Sequence, residues 1–159
     1  MWLGILMVAI AIIIGVVIGL KKADKMNTLV KEGKMIKRDI RFAEKGEEFT
    51  SKIGSYSALA EAIKGFGIPC SADGNTSDSV AFKGATFSAR LYKVKFDEPS
   101  GIGIFRFEFT SWKTYRGMYE NYNEMNMLMT TVEKAFLSLD PNTAVKEYKI
   151  DFNTKHSIF

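Results

Sequence analysis

The side chains best suited to covalent chemistry are scarce in this chain. One cysteine, Cys70, and one histidine, His156, occur among 159 residues. A thiolate and an imidazole can form a nucleophilic pair, but Cys70 falls in a predicted loop and His156 beyond the last predicted strand. Single copies also exclude a CxxC redox site, an HExxH zinc site and a disulfide within the chain. With no GxxxxGK[ST], GxSxG or GxGxxG motif either, the sequence predicts no cofactor and no metal.

Two stretches match known binding motifs only in part. Residues 71–78 place oxygen-bearing side chains on alternate positions, as a calcium loop does, but the sixth position lacks glycine and the twelfth is Gly84. Residues 100–107 share two glycines and a final aromatic with an RNA-recognition signature, yet Ile102 and Ile104 replace its stacking aromatics. We therefore predict a solvated loop, core phenylalanines and no nucleic-acid partner.

Carboxylates and tyrosines offer the remaining acid–base chemistry. Glu108 or Glu124 near Tyr115 could serve a small membrane-associated enzyme. Such an enzyme needs a pocket in which the pKa of a carboxylate is strongly shifted. Enzymatic activity is therefore kept as an alternative to a binding role.

Amphipathic aromatic residues and one arginine cluster around predicted strand ends and a predicted helix start. They are Tyr92, Trp112, Tyr115, Arg116 and Tyr119. Such residues are frequent anchors of protein interfaces, although they also cover the margins of small cores. The main prediction is a non-catalytic interaction or accessory module whose partner is another protein or a second copy of the chain.

The element that would position this module is an uninterrupted apolar run at residues 2–20. As a helix it would span roughly 28 Å, close to the thickness of bilayer hydrocarbon. A signal peptide is the alternative, but a basic segment before the apolar core is missing. We predict a transmembrane anchor in the bilayer. Ala11, Gly15 and Gly19 recur every fourth residue and are its predicted helix-packing face.

The net charge of +4 lies entirely next to this run. Residues 21–40 hold seven basic and three acidic side chains, whereas the rest of the chain is balanced. The positive-inside rule predicts an external N-terminus and a cytoplasmic domain, with Lys21, Lys22 and Lys25 as topology determinants or lipid-headgroup contacts. A lipid-surface sensor acting through a basic connector at residues 21–46 is a second alternative.

The domain proper is predicted at residues 47–159, with the order strand, helix, strand, strand, helix, strand. The predicted strands cover residues 47–53, 80–96, 102–113 and 145–154. The first helix follows an N-cap at Ser55 or Ser57 and ends near Gly65 and Gly67, and the second begins at Met118. The sequence thus predicts an α+β, ferredoxin-like domain: four antiparallel strands with two helices on one face, after an N-terminal transmembrane helix.

Overall fold

The computed structural model describes residues 16, 18, 20–21, 23–73 and 78–150. The chain divides into two compact units, Met1–Met35 and Ile36–Phe159. In the first unit, residues 23–31 are helical. The second unit is an α+β domain, and it contains the sheet and the functional candidates.

The sheet of the second unit has six antiparallel strands, and a separate two-stranded hairpin accompanies it. The strands are β1 Lys45–Ser51, β2 Ser71–Asp73, β3 Ser79–Lys83, β4 Phe87–Asp97, β5 Ile102–Trp112, β6 Thr114–Tyr115, β7 Met118–Tyr119 and β8 Ala144–Lys149, and the helices are α1 Tyr56–Phe66 and α2 Tyr122–Leu139. The sheet order is β2-β3-β4-β5-β1-β8, and β6 pairs with β7. Strand β1 therefore lies between β5 and the edge strand β8.

The core forms on one face of the sheet because β5 places a phenylalanine at every second position. Phe105, Phe107 and Phe109 are at most 1% exposed, and alternation sends them all to one face. Both helices pack on this face: Phe136 of α2 stacks on Phe49 of β1 with ring centroids 4.2 Å apart.

Helix α1 begins and ends where local chemistry predicts. The Ser55 side chain accepts a hydrogen bond from the Ala58 amide at 3.2 Å, which satisfies one of the unpaired donors of the first turn. Gly67 ends the helix with φ at +75°, a conformation that glycine adopts without steric cost.

The ferredoxin-like prediction of a four-stranded sheet is wrong in the number of strands, because the region predicted as a single strand at residues 80–96 contains two strands. Gly84 lies between β3 and β4, and the ring of Phe87 occupies the space that a side chain at Gly84 would fill. The apolar residues change phase at this turn. The pairing of β4 with β5 is irregular between Ser88 and Ala89 and between Lys93 and Lys95. Strand β2 adds a further strand in the predicted loop, so the sheet has six strands instead of four.

The second helix was predicted to begin at Met118, but it begins at Tyr122. Arg116 and Gly117 both have positive φ, +52° and +77°, which form a two-residue turn between β6 and β7. Met118 continues the helical spacing by coincidence, since the buried stripe of the helix starts at Met125.

The transmembrane part of the predicted fold is corrected as well. Among the residues that the structure describes, no helix is long and apolar enough to cross a membrane. The helical residues 23–31 carry Asp24, Lys25 and Lys31, and charged side chains are costly in hydrocarbon. Residues 1–15, 17 and 19 lie outside the described part of the chain, and with them the packing face predicted at Ala11, Gly15 and Gly19.

Candidate functional site

The β6–β7 hairpin is anchored to the core through its inner face. Tyr119 is only 6% exposed, and its ring packs edge-on against Trp112 and Phe42 at 5.8 and 5.6 Å. Burial raises the pKa of the Tyr119 hydroxyl to about 12. The amide of Glu120 donates to the carbonyl of Lys113 at 3.1 Å and closes the base of the hairpin. The hairpin is therefore held in one position.

The outer face of the hairpin carries large exposed side chains. Tyr115 and Met118 are cross-strand partners and are 62% and 60% exposed. The guanidinium of Arg116 lies 5.3 Å from the centre of the Tyr115 ring, a cation–π distance. We call Tyr115, Arg116 and Met118 the hairpin patch. Aromatic residues, Met and Arg are enriched at protein interfaces.

Arg116 occupies a backbone conformation that its side chain does not favour. Within the described residues it is the one non-glycine residue with a positive φ, +52°. Left-handed backbone costs such a residue about 1–2 kcal/mol, whereas Asn or Gly relieves the cost. Strained residues cluster at sites of function, so this position is a candidate for a binding role.

The structure brings together four of the five residues predicted as a partner surface. Tyr115 and Arg116 are exposed at the hairpin turn, while Trp112 is half-buried and Tyr119 is buried beneath them. Tyr92 lies elsewhere: it is on β4, five residues beyond Phe87, the cross-strand partner of Trp112. Five strand residues cover roughly 17 Å.

Tyr92 belongs to a polar network on the open face of the sheet, the face not covered by the helices. The guanidinium of Arg90 lies 4.8 Å from the Tyr92 ring, and that of Arg106 lies 4.7 Å from the Tyr148 ring. Arg106 also donates to Glu48 at 2.8 Å. Each cation in this network is close to an aromatic ring and a carboxylate.

Glu108, one candidate acid–base residue, lies in the same network. Its Oε1 accepts from Arg90 at 2.7 Å and its Oε2 from the Tyr148 hydroxyl at 2.6 Å. Burial and this hydrogen bond raise the pKa of Tyr148 far above its ordinary value. Both carboxylate oxygens are thus occupied within the sheet. Glu124 lies half-exposed in the first turn of α2.

Gly46 is what allows Tyr148 to reach Glu108. A Cβ at Gly46 would lie 2.3 Å from the Tyr148 ring, so the ring crosses β1 directly over this glycine. We expect Gly46→Ala to lower the free energy of unfolding by about 1–3 kcal/mol, since the added methyl group displaces the ring. Urea denaturation measures this change. Gly54→Ala is the control, because nothing lies within 4 Å of its Cβ; equal costs for the two variants would contradict the prediction.

A second polar cluster is buried beneath the helices, and sequence reasoning missed it. Arg38 donates to Glu47 at 3.1 Å, to Glu133 at 2.5 Å and to Asn126 at 3.2 Å. The side chains of Arg38 and Glu47 are 10% and 4% exposed. We call Arg38, Glu47 and Glu133 the buried triad. Burial, and secondarily the charge of Glu133, raises the pKa of Glu47 to about 8.

An open groove of about 780 Å³ lies beside the triad, between residues 36–45 and 147–149. Five basic and three acidic residues line it, and Arg38 is already bound by Glu47 and Glu133. Lys45 forms an ion pair with Glu147 at 2.6 Å. With Arg38 set aside, four basic side chains face three acidic ones, and an excess of one positive charge favours no particular class of ligand.

The remaining residues that the sequence singled out are the cysteine, the calcium-like loop, the histidine and three lysines near the N-terminus. Cys70 is half-buried, and burial raises the pKa of its thiol to about 11, so it is unreactive at neutral pH. Residues 74–77 of the calcium-like loop, and His156, lie outside the described residues. In the part that is described, no cluster of three or more His, Cys, Asp or Glu could hold a metal ion. Lys21 and Lys25 are exposed, and Lys22 is not described.

The hairpin turn and the triad each leave a signal in the sequence. Gly117 follows Arg116 between two short runs containing tyrosine, which is a turn signal of the kind that joins hairpin strands. Asn126 and Glu133 interrupt the apolar residues of α2 on one side. Neither signal identifies its partners, because these come from distant parts of the chain.

The chain matches no protein-family model, no curated protein and no solved structure. Its function is therefore argued from its own geometry.

Proposed function

We propose that the second unit is a non-catalytic protein-interaction module that binds its partner through the hairpin patch. The observation that carries this proposal is the exposure of Tyr115 and Met118, both at least 60%, on a hairpin fixed by buried Tyr119. Interface anchors gain affinity when they are held in place before binding, because little conformational entropy is then lost.

The chemistry of the patch defines the partner surface that fits it. Tyr115 and Met118 suit an apolar pocket, since together they present a ring and a flexible thioether. Arg116 suits a carboxylate at the rim of that pocket, which would approach the guanidinium on the side away from the Tyr115 ring. The partner is either another protein or a second copy of the chain.

Site-specific photo-crosslinking tests this proposal in cells that make the protein. A photoreactive phenylalanine analogue at Tyr115 is expected to give a defined adduct, and its mass distinguishes a second copy from another protein. Excess unlabelled wild-type protein should compete the adduct away, whereas protein carrying Tyr115→Ser and Met118→Ser should not.

The matched control places the same analogue at Phe66, an aromatic residue that is 48% exposed at the end of α1. No competable adduct is expected there. If position 115 gives none, or if the doubly substituted protein competes as well as the wild type, the hairpin patch does not bind a partner.

A substitution at the turn separates binding from stability. Arg116→Asn is expected to raise the free energy of unfolding by about 1 kcal/mol, because Asn-Gly suits a turn with two positive φ values. The same change should weaken the competable adduct at Tyr115, since the cation is lost. Thermal denaturation and the crosslinking yield check the two effects; a loss of stability would show that Arg116 is not strained.

A further inference from the structure

Residues 36–38 are held against α2 by side chains of the helix instead of by a neighbouring strand. Asn126 donates to the carbonyl of Ile36 at 2.8 Å, and the Tyr122 hydroxyl donates to the carbonyl of Arg38 at 2.8 Å. Thr130 accepts from the Ile36 amide at 3.4 Å. Positions 122, 126 and 130 recur every fourth residue, so they form one stripe along the helix. We call residues 36–38 the strap.

The Arg38 side chain continues from the strap into the buried triad. One guanidinium there binds two carboxylates, Glu47 from β1 and Glu133 from α2. Oε2 of Glu47 is buried and has no hydrogen-bond partner. An ionised oxygen in that position is costly, whereas a protonated carboxyl group carries no charge. The geometry therefore favours a protonated Glu47.

Within the part of the chain that the structure describes, no cation besides Arg38 offsets the charge of Glu47. Its partner on β8, Glu147, is bound by Lys45 at 2.6 Å. Its partner on β5 is Phe107, an uncharged side chain. Asn126 of α2 contributes only its amide. Ionisation of both triad acids therefore leaves an excess negative charge in the interior.

We propose that the buried triad is a proton-operated latch, which holds the strap on α2 while one carboxyl group is protonated and releases it when both are ionised. When both carboxylates are ionised, they repel each other. This repulsion separates α2 from β1 at the Arg38 guanidinium, which joins the two elements, and so weakens the attachment of the strap. The raised pKa of Glu47, about 8, puts this change near neutral pH. The latch controls how firmly the first residues of the second unit are attached to it.

Hydrogen exchange measured by mass spectrometry on the full chain tests the latch. The opening constant of a peptide covering residues 36–41 is followed from pH 6 to pH 9, after correction for the intrinsic effect of pH on exchange. A β5 peptide reports global unfolding, and it should exchange more slowly than residues 36–41 at every pH. Between pH 6 and pH 8 the opening constant of residues 36–41 is expected to rise at least tenfold in the wild type, because opening releases one proton. Above pH 8 it should level off.

Two variants identify the responsible group. Glu47→Gln keeps an acceptor for Arg38 but cannot ionise, so its opening constant for residues 36–41 should stay unchanged from pH 6 to pH 9. Glu48→Gln, which removes the same charge on the open face of the sheet, should behave as the wild type does. A pH-independent opening constant in the wild type, the same rise in Glu47→Gln, or exchange of residues 36–41 no faster than that of β5 would overturn the latch.

Discussion

Replacing Arg38 with methionine is expected to lower the free energy of unfolding by about 3–5 kcal/mol, the usual cost of removing one partner of a buried ion pair. Methionine fills most of the volume but leaves Glu47 and Glu133 buried without a cation. It also removes the hydrogen bond to Asn126, and the strap loses its main attachment. Urea denaturation at pH 7 measures the loss.

Arg41→Met is the matched control for this prediction. Arg41 is 75% exposed and lies 4.0 Å from Glu44, so we expect a change within about 0.5 kcal/mol. Adding Glu47→Gln and Glu133→Gln to Arg38→Met should recover much of the stability, because no buried charge then remains. A cost for Arg38→Met that is as small as that for Arg41→Met would show that the triad contributes little to folding.

Glu47→Gln is expected to remove most of the decrease in stability between pH 5 and pH 8. The pKa of Glu47 is about 8 in the folded chain, against an ordinary value of 4.5. The folded state therefore binds a proton that the unfolded state has released, and the free energy of unfolding falls as pH rises. The full loss is on the order of 5 kcal/mol, reached above pH 8.

Denaturation curves at half-unit steps from pH 5 to pH 9 measure this dependence. The difference between wild type and Glu47→Gln isolates one group, because every other titrating residue is common to both proteins. We expect Glu47→Gln to be the more stable protein above pH 8 and to lose its advantage toward pH 5. Parallel curves for the two proteins would contradict the raised pKa.

Sequence patterns predicted most local elements well and the number of strands poorly. The N-cap was predicted at Ser55 or Ser57 and the helix end near Gly65 and Gly67, and the structure selects Ser55 and Gly67. The alternating phenylalanines of β5 were correctly located, since each of these features depends on neighbours within a few residues. The pairing of β3 with β4 was missed because apolar residues recur throughout residues 80–96, and a single glycine at position 84 does not distinguish a turn from one continuous strand.

The residues of the hairpin patch were also predicted in part: their types were recognised, but their secondary structure was not. Aromatic types and spacing indicated Trp112, Tyr115, Arg116 and Tyr119, but helical spacing assigned Met118 to a helix. The positive φ of Arg116, which makes Met118 the cross-strand neighbour of Tyr115, depends on the anchoring of Tyr119 in the core. Periodicity alone does not show which of two compatible elements a residue joins.

By itself, the sequence determined the α+β class, the position of helix α1 and the apolar faces of its main elements, because these follow from capping chemistry and from the periods of helix and strand. Only the tertiary structure decided the six-strand order, the path of Tyr148 over Gly46 and the assembly of the buried triad. Arg38 and Glu133 are 95 residues apart in the chain. Such contacts form only when packing of the whole core brings the two segments together. No local sequence pattern predicts a contact between residues so far apart in the chain.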